Sequence, residues 1–136
     1  ASSDGFYDLQ KPNGPNLRAR LRTDASGQFW FRAVRPVSYG IPTDGPVGAM
    51  LRASNRHNMR AAHLHFMISA PGHERLVTQL FVTGDQYLDS DAVFGVKDSL
   101  VVDCERVETR EEAAKYQVEV PFYRMHYDFV LEPAQA

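Results

Sequence analysis

Cysteine is almost missing from this chain of 136 residues, in which Cys104 stands alone. A single cysteine excludes an internal disulfide and any metal site built from several thiolates. No apolar run approaches the ~20 residues that a membrane-spanning helix requires. The formal net charge is only −2, so nothing in the composition favours binding to nucleic acid. With no recognisable signal peptide either, we expect neither membrane nor nucleic-acid partners, and the reducing cytoplasm as the compartment.

The chain does have the composition of a globular domain, with 43% hydrophobic and 24% charged residues. A chain of this length buries roughly two thirds of the surface that its unfolded form exposes. We therefore expect one domain over residues 1–136.

Most of the periodic signals have a period of two, which is typical of β-strands. Beyond an early strand at Phe6 to Leu9, the predicted strands are residues 17–22, 28–34, 62–69, 76–82 and 99–102. A turn at residues 23–27 would join the first two of these into a hairpin. Near the C-terminus, the apolar residues change from even to odd positions, which predicts a bulge or bend at Pro121-Phe122.

Two long segments do not read as strands. Residues 36–60 are rich in proline and glycine, with a short helix at 46–53, and residues 84–98 form a loop with aromatic and acidic residues. A second short helix is predicted over residues 108–115. Loops of this length in a compact domain are often functional. The sequence therefore predicts an all-β fold, an antiparallel sandwich whose long loops carry the functional site.

Two histidines lie two residues apart in the predicted strand at 62–69. Because side chains alternate along a strand, His63 and His65 leave one face while Leu64 and Phe66 leave the other. Two neutral imidazoles on one face can bind a single metal ion. The alternative is a pair of hydrogen-bonded histidines that face a polar pocket.

Two tyrosines have distinctive settings. Tyr39 lies in a loop dense in turn residues, and Tyr7 follows Asp4-Gly5-Phe6. A lone tyrosine is most often a packing residue. Two phenolates combined with two imidazoles, however, would make a hard, oxygen-rich site that suits Fe(III) better than Zn(II) or Cu(I). Because the free pKa of tyrosine is about 10, such an ion must be a strong Lewis acid.

Four segments, in this order along the chain, resemble the intradiol ring-cleavage dioxygenases, in particular the catechol and hydroxyquinol 1,2-dioxygenase branch. The segments are Asp4-Gly5-Phe6-Tyr7-Asp8, Tyr39-Gly40-Ile41-Pro42-Thr43-Asp44-Gly45-Pro46-Val47-Gly48, Arg60-Ala61-Ala62-His63-Leu64-His65-Phe66 and Tyr87-Leu88-Asp89-Ser90-Asp91-Ala92-Val93-Phe94-Gly95-Val96. The chain departs from the family at Ala61, where a proline is usual.

The resemblance implies a set of site residues. The ligands of a non-haem Fe(III) would be Tyr7, Tyr39, His63 and His65. Of these, Tyr39 would also be catalytic, as the tyrosinate that leaves the metal and accepts a substrate proton. Arg60 and Gln79 would be catalytic and would contact the substrate, although an arginine is by itself most often a surface charge and a strand glutamine an ordinary polar residue. Ile41, Pro42 and Val93 would be apolar residues of the substrate pocket.

The resemblance further implies Fe(III)-dependent cleavage of a catechol, hydroxyquinol or chlorocatechol by O₂, giving a cis,cis-muconate-type dicarboxylate in aromatic catabolism. It covers the catalytic C-terminal portion of the family, without the N-terminal helical dimerisation domain and the first strands. Assembly into a homo-oligomer stays open. The alternatives are a non-catalytic β-sandwich that binds iron or a phenolic ligand, and a structural sandwich without metal.

Overall fold

A computed structural model of the protein describes residues 17–135. Tyr7 and the predicted strand at Phe6 to Leu9 therefore lie outside the described residues. The elements in chain order are β1 (Tyr39–Gly40), α1 (Pro46–Ala53), β2 (Met59–Arg60), β3 (His63–Ile68), β4 (Leu76–Val82), β5 (Val101–Val102), β6 (Glu105–Val107), α2 (Arg110–Lys115) and β7 (Phe122–Arg124). The fold is sheet-rich with two short helices, which confirms the all-β prediction. None of the helices within residues 17–135 has the length and apolar character to cross a membrane.

The strands pair into three small sheets in the described part of the chain. β1 pairs with β2, β6 pairs with β7, and β4 lies between β3 and β5. All pairs are antiparallel except β4 and β5, which run parallel over two residue pairs. This differs from the antiparallel sheet predicted from the sequence. A parallel pair requires a long connection, and the loop at residues 83–100 supplies it.

The hairpin of β3 and β4 is the longest regular feature, and its two strands confirm the predictions at 62–69 and 76–82. Its register runs from His63 opposite Phe81 to Ile68 opposite Leu76. On the apolar face of β3, the Phe66 ring lies 4.9 Å from that of Phe129, with Phe29 and Phe31 beyond 6 Å. The aromatic cluster covers one face of β3, and the histidines lie on the opposite face.

The predicted hairpin over residues 17–34 is present only as its turn. The Asp24 carboxylate accepts hydrogen bonds from Ser26 and from the Gln28 amide, and the Asp24 amide donates to the Gln28 carbonyl at 2.8 Å. The flanking segments contain no strand, because no neighbouring backbone within residues 17–135 pairs with them. The period-two pattern instead reflects side-chain packing, with Trp30 against Tyr116 on one side and the aromatic cluster on the other.

Near the C-terminal end, one predicted strand is shorter than expected and one change of face lies later than expected. Residues 98–100 form a single 3₁₀ turn, so the predicted strand at 99–102 is reduced to β5. The half-buried positions are even-numbered through Arg124 and odd-numbered from Met125. The chain does bend at Val120-Pro121, which confirms the predicted bend, but the change of face follows later, between Arg124 and Met125 after β7. The pairing of β7 with β6 keeps the first register as far as Arg124.

Both helix predictions are confirmed, although α2 begins two residues later than predicted. Pro46 occupies the first turn of α1, where its missing N–H costs nothing, and the helix buries Gly48 and Leu51. A β-carbon on Gly48 would lie 2.0 Å from the carbonyl oxygen of Thr43. The loop that leaves Tyr39 therefore folds back onto α1 at a distance that only glycine permits.

We expect Gly48→Ala to lower the free energy of unfolding by about 1–3 kcal/mol, because the added methyl group must displace the Thr43 backbone. Urea denaturation would measure the change. The control is Ala49→Gly on the exposed face of the same helix, where the loss should be about 1 kcal/mol or less. A stabilised Gly48→Ala protein, the usual result for a helical glycine with free space around it, would contradict this close packing.

Candidate metal and substrate site

Tyr39 lies in β1, directly opposite Arg60 of β2. The predicted loop tyrosine is thus held in a two-residue strand, and its side chain is buried with 5% exposure. From Arg60 the chain passes through Ala61 and Ala62 into β3, which begins at His63. The Tyr39 and His63 rings consequently lie 5.6 Å apart between centroids.

His63 and His65 leave the same face of β3, as the alternation predicts, and their ring centroids lie 4.9 Å apart. His63 is buried, whereas His65 is exposed. The structure therefore brings together three of the four residues that the resemblance implies as metal ligands. The fourth, Tyr7, lies outside the described residues.

The surroundings of His63 fix which ring nitrogen carries the proton. Its Nδ1 lies 2.6 Å from the carbonyl oxygen of Ala61, which can only accept, so Nδ1 donates and Nε2 keeps a lone pair. Burial lowers the pKa of His63 to about 4. The pKa of His65 is lowered as well, because its surroundings partly desolvate the ring although its side chain reaches solvent, and because the Arg60 charge lies nearby. Both rings are therefore neutral near pH 7, the form in which imidazole binds metals.

Arg60 is enclosed by the same group of residues. Its guanidinium donates from Nε to Asp91 Oδ1 at 3.2 Å, from Nη2 to Gln79 Oε1 at 3.1 Å, and from Nη1 to His63 Nε2 at 3.2 Å. The residue is 6% exposed, so it is not an ordinary surface charge. Gln79 is placed by the β3–β4 register, in which it lies opposite His65.

Asp91 is a site residue to which the sequence analysis assigned no role. It is 2% exposed and accepts the backbone N–H groups of Ala61 at 3.1 Å and Gly95 at 2.9 Å, in addition to Arg60. Burial opposes its ionisation, but the Gly95 N–H and the Arg60 charge outweigh burial and hold the pKa of this carboxyl below its usual value. The sequence around an aspartate in a polar loop does not show whether its side chain is buried. The one relevant signal was that Asp91 lies in the last of the four segments that resemble the family.

Gly95 completes the enclosure of the arginine. A β-carbon at this position would lie 2.6 Å from Gln79 Nε2 and 3.2 Å from Arg60 Nη2. The loop after Asp91 therefore packs its backbone directly against the guanidinium and the amide. Such an approach keeps water away from one side of both groups.

The three predicted pocket residues lie close in sequence to members of the site. The site is called the cluster below and consists of Tyr39, Arg60, His63, His65, Gln79 and Asp91. Ile41 is half-buried and is tied to Asn58, which accepts its amide N–H at 3.0 Å and donates to its carbonyl at 2.7 Å. Pro42 follows it and is exposed, and Val93, two residues after Asp91, is 49% exposed. Ile41 and Pro42 thus follow Tyr39 directly in sequence, and Val93 lies between Asp91 and Gly95.

The chemistry of the gathered donors limits which metal they fit. Among residues 17–135, no three His, Cys, Asp or Glu side chains form a group that could hold a metal ion. A metal at His63 and His65 would thus need the phenol oxygen of Tyr39 as a further donor. Neutral imidazole nitrogens with phenolate oxygen fit a hard, strongly Lewis-acidic ion. A metal on His63 Nε2 would replace its hydrogen bond from Arg60, which has two other partners.

The remaining described histidines have partners of their own. His57 Nε2 lies 2.9 Å from Ser90 Oγ. His73 Nδ1 lies 3.0 Å from the Pro71 carbonyl, and His126 is an exposed neighbour of Asp128. None of these contacts includes a residue of the cluster.

Known proteins resemble the whole of this chain. The dioxygenase family model matches residues 1–133. Hydroxyquinol 1,2-dioxygenase of Nocardioides simplex is 48% identical over 136 residues, which are 98% of this chain and 46% of that protein. Catechol 1,2-dioxygenase of Candida albicans is 38% identical over 133 residues, or 96% of this chain and 43% of that protein.

A solved structure agrees with these matches. The crystal structure of hydroxyquinol 1,2-dioxygenase from Pseudomonas putida superposes with a TM-score of 0.86 at 51% identity, covering 98% of this chain and 48% of that one. The chain thus spans just under half the length of the relatives that it matches, and it corresponds to their catalytic C-terminal part. Extent of match, identity and fold agree, and the chain belongs to the intradiol ring-cleavage dioxygenases.

Proposed function

We propose that the protein carrying this chain cleaves a catechol-type ring between its two hydroxyl-bearing carbons. Both atoms of O₂ enter the product, a cis,cis-muconate-type dicarboxylate, in the catabolism of aromatic compounds. The observation that carries the proposal is the cluster of Tyr39, His63 and His65 beside the enclosed Arg60. The similarity of the chain to hydroxyquinol and catechol 1,2-dioxygenases supports the same activity.

The proposed cofactor is a non-haem Fe(III). Its ligands in the described part of the chain would be Tyr39, His63 and His65, and Tyr7 would be the fourth. Bound ferric iron would act as a Lewis acid that takes up the catechol oxygens and draws electron density from the ring. The chain contributes neutral imidazoles to this site, since burial and the Ala61 carbonyl keep His63 in the required tautomer.

Tyr39 is the proposed proton acceptor. A phenolate oxygen is a base matched to a phenolic hydroxyl of the substrate, since both have pKa values of about 10 when unperturbed. The ring is buried beside His63, and its backbone is fixed opposite Arg60. The Tyr39 oxygen would therefore take a proton from the substrate at the place where the substrate oxygen binds.

Arg60 is the proposed electrostatic partner of the bound substrate. Asp91 and Gln79 hold its guanidinium from two sides, and the third nitrogen, Nη1, points at His63. A donor fixed in this way can stabilise negative charge on the ring without rearranging during the reaction. The amide nitrogen of Gln79 lies against the backbone of Gly95.

The preferred substrate in this proposal is a hydroxyquinol. The chain is 48% and 51% identical to the two hydroxyquinol enzymes compared above and 38% identical to the catechol enzyme. Ile41, Pro42 and Val93, which lie close in sequence to Tyr39 and Asp91, would contact ring substituents. Apolar contacts of this kind separate related substrates by about 1–3 kcal/mol.

The proposal treats residues 1–136 as one catalytic domain in the cytoplasm. The helical dimerisation domain and the first strands expected from the resemblance would belong to the half of the relatives that this chain does not span. Cys104, the single cysteine, is half-buried, and burial raises the pKa of its thiol, which disfavours the reactive thiolate.

The first test is the iron content and visible spectrum of the protein purified without chelators. We expect bound iron and a tyrosinate-to-iron absorption band that shifts when hydroxyquinol or catechol is added under nitrogen. Admission of O₂ should then yield the ring-opened dicarboxylate. A colourless protein that cannot be reconstituted with iron would refute the proposal, and a shifted band without turnover would favour a non-catalytic phenol-binding protein.

Tyr39→Phe should lower kcat by about 10²- to 10⁴-fold, the usual contribution of a general base, and should also change the visible band. Steady-state oxygen uptake and absorption spectroscopy measure the two effects. Tyr127→Phe is the control, because it removes a hydroxyl that donates to the Ser99 carbonyl at 3.1 Å, away from the cluster. Full activity with an unchanged spectrum in Tyr39→Phe would show that this residue is neither base nor ligand.

Asp91→Asn should destabilise the protein by about 3–5 kcal/mol, because it leaves the buried Arg60 charge without its partner. It should also raise KM for the catechol, since the guanidinium loses one of the contacts that orient it. Chemical denaturation and steady-state kinetics measure these effects. Glu112→Gln is the control, because it removes a carboxylate that pairs with Arg124 and Lys115 near the surface, and its effect on stability should be much smaller. Equal small effects in both variants would contradict the role of Asp91.

A further inference from the structure

Asp85, in the loop that follows β4, joins the two chain segments that carry Tyr39 and His63. Its Oδ2 accepts a hydrogen bond from the Ser38 hydroxyl at 2.5 Å and another from the Ala62 amide at 3.1 Å. Ser38 immediately precedes Tyr39, and Ala62 immediately precedes His63. One carboxylate oxygen therefore connects the residues adjacent to two proposed ligands that lie far apart in sequence.

We propose that Asp85 is a positioning residue, which fixes Tyr39 relative to His63 and thereby determines how tightly the cluster holds its metal ion. The inference rests on the proposed function, because it takes Tyr39 and His63 as ligands of one metal. It adds a residue that touches neither the metal nor the substrate.

The two ligand-bearing segments differ in how firmly the backbone holds them. β3 is tied to β4 along six residue pairs, and the Val82 amide extends this pairing by donating to the Ala62 carbonyl at 3.0 Å. In the described part of the chain, β1 has two residue pairs, Tyr39 with Arg60 and Gly40 with Met59, and the Ile41 amide continues them by donating to the Asn58 carbonyl at 3.0 Å. So short a strand pair is weak alone, because little backbone pairing offsets the entropy of ordering the chain. The bond from Ser38 to Asp85 attaches the weak segment to the strong one.

The loop that carries Asp85 is itself ordered by the same side chain. Its other oxygen, Oδ1, accepts the amide N–H of Tyr87 at 2.9 Å, and the Asp85 amide donates to the Val82 carbonyl at 3.3 Å. Both carboxylate oxygens therefore accept hydrogen bonds in a half-buried position. Bonds to an ionised carboxylate are stronger than those between neutral groups, so the connection is difficult for water to replace.

The test compares iron affinity, by competition with a chelator, and the tyrosinate band in Asp85→Ala, Ser38→Ala and the unaltered protein. We expect Asp85→Ala to weaken iron binding by about 10- to 100-fold, the usual effect of removing a group that supports metal ligands. Ser38→Ala removes only the connection to the Tyr39 segment and should shift the band with a smaller loss of affinity. Asp85→Asn should recover part of the affinity, because its amide oxygen can still accept the Ser38 hydroxyl.

Asp24→Ala is the matched control. The Asp24 carboxylate also accepts three hydrogen bonds, from Ser26 N at 2.9 Å, Ser26 Oγ at 2.8 Å and Gln28 N at 2.9 Å, in an exposed turn away from the cluster. Thermal unfolding of the iron-free proteins reports the purely structural loss in each variant. Asp24→Ala should lower Tm without changing iron affinity or the band.

The possible results separate this inference from the proposed function. If iron affinity and the band in Ser38→Ala and Asp85→Ala match those of Asp24→Ala, Asp85 has no positioning role, although the enzyme proposal stands. Should Asp85→Ala fail to fold, Ser38→Ala alone decides, and an unchanged band in it overturns the inference. An unaltered protein that binds no iron would overturn the proposed function and this inference together.

Discussion

The buried ion pair between Arg60 and Asp91 is the interaction on which the candidate site depends. Arg60 is the point where β1, β2, β3 and β4 meet, through its register with Tyr39 and its bonds to His63 and Gln79. A buried guanidinium is tolerated only with charge compensation and full hydrogen bonding, and Asp91 supplies the charge. Without the carboxylate, the arginine would have to move toward water and would leave the cluster it orders.

The candidate site combines side chains from one regular sheet with side chains from two less regular segments. β3 and β4 place His63, His65 and Gln79 by backbone register alone, which leaves their spacing little freedom. β1 brings in Tyr39 and the loop after β4 brings in Asp91. Hydrogen bonds to carboxylates connect both to the rest of the site, from Ser38 to Asp85 and from the Ala61 N–H to Asp91. The candidate site therefore lies where irregular chain is fixed to regular chain, as is common for sites carried on loops.

The sequence predicted those parts of the fold that local periodicity determines. The β3–β4 hairpin, α1 and the shared face of His63 and His65 follow from alternation, from a proline at the start of a helix and from turn residues. Features that depend on distant partners were missed: residues 17–34 pair with no strand within the described chain, and β5 runs parallel to β4. Asp91 and Asp85 were missed for the same reason, because their roles arise from groups brought together only by folding.

The close contact of Gly95 with the guanidinium has a consequence for the loop that carries Asp91. Any side chain at Gly95 would have to displace the ends of Gln79 and Arg60, the groups that Asp91 helps to hold. Val93 lies between these two positions in sequence and is 49% exposed. One short segment thus combines two positions packed against the buried guanidinium with a neighbouring position that faces solvent, so a substitution at Val93 should cost far less stability than one at Asp91 or Gly95.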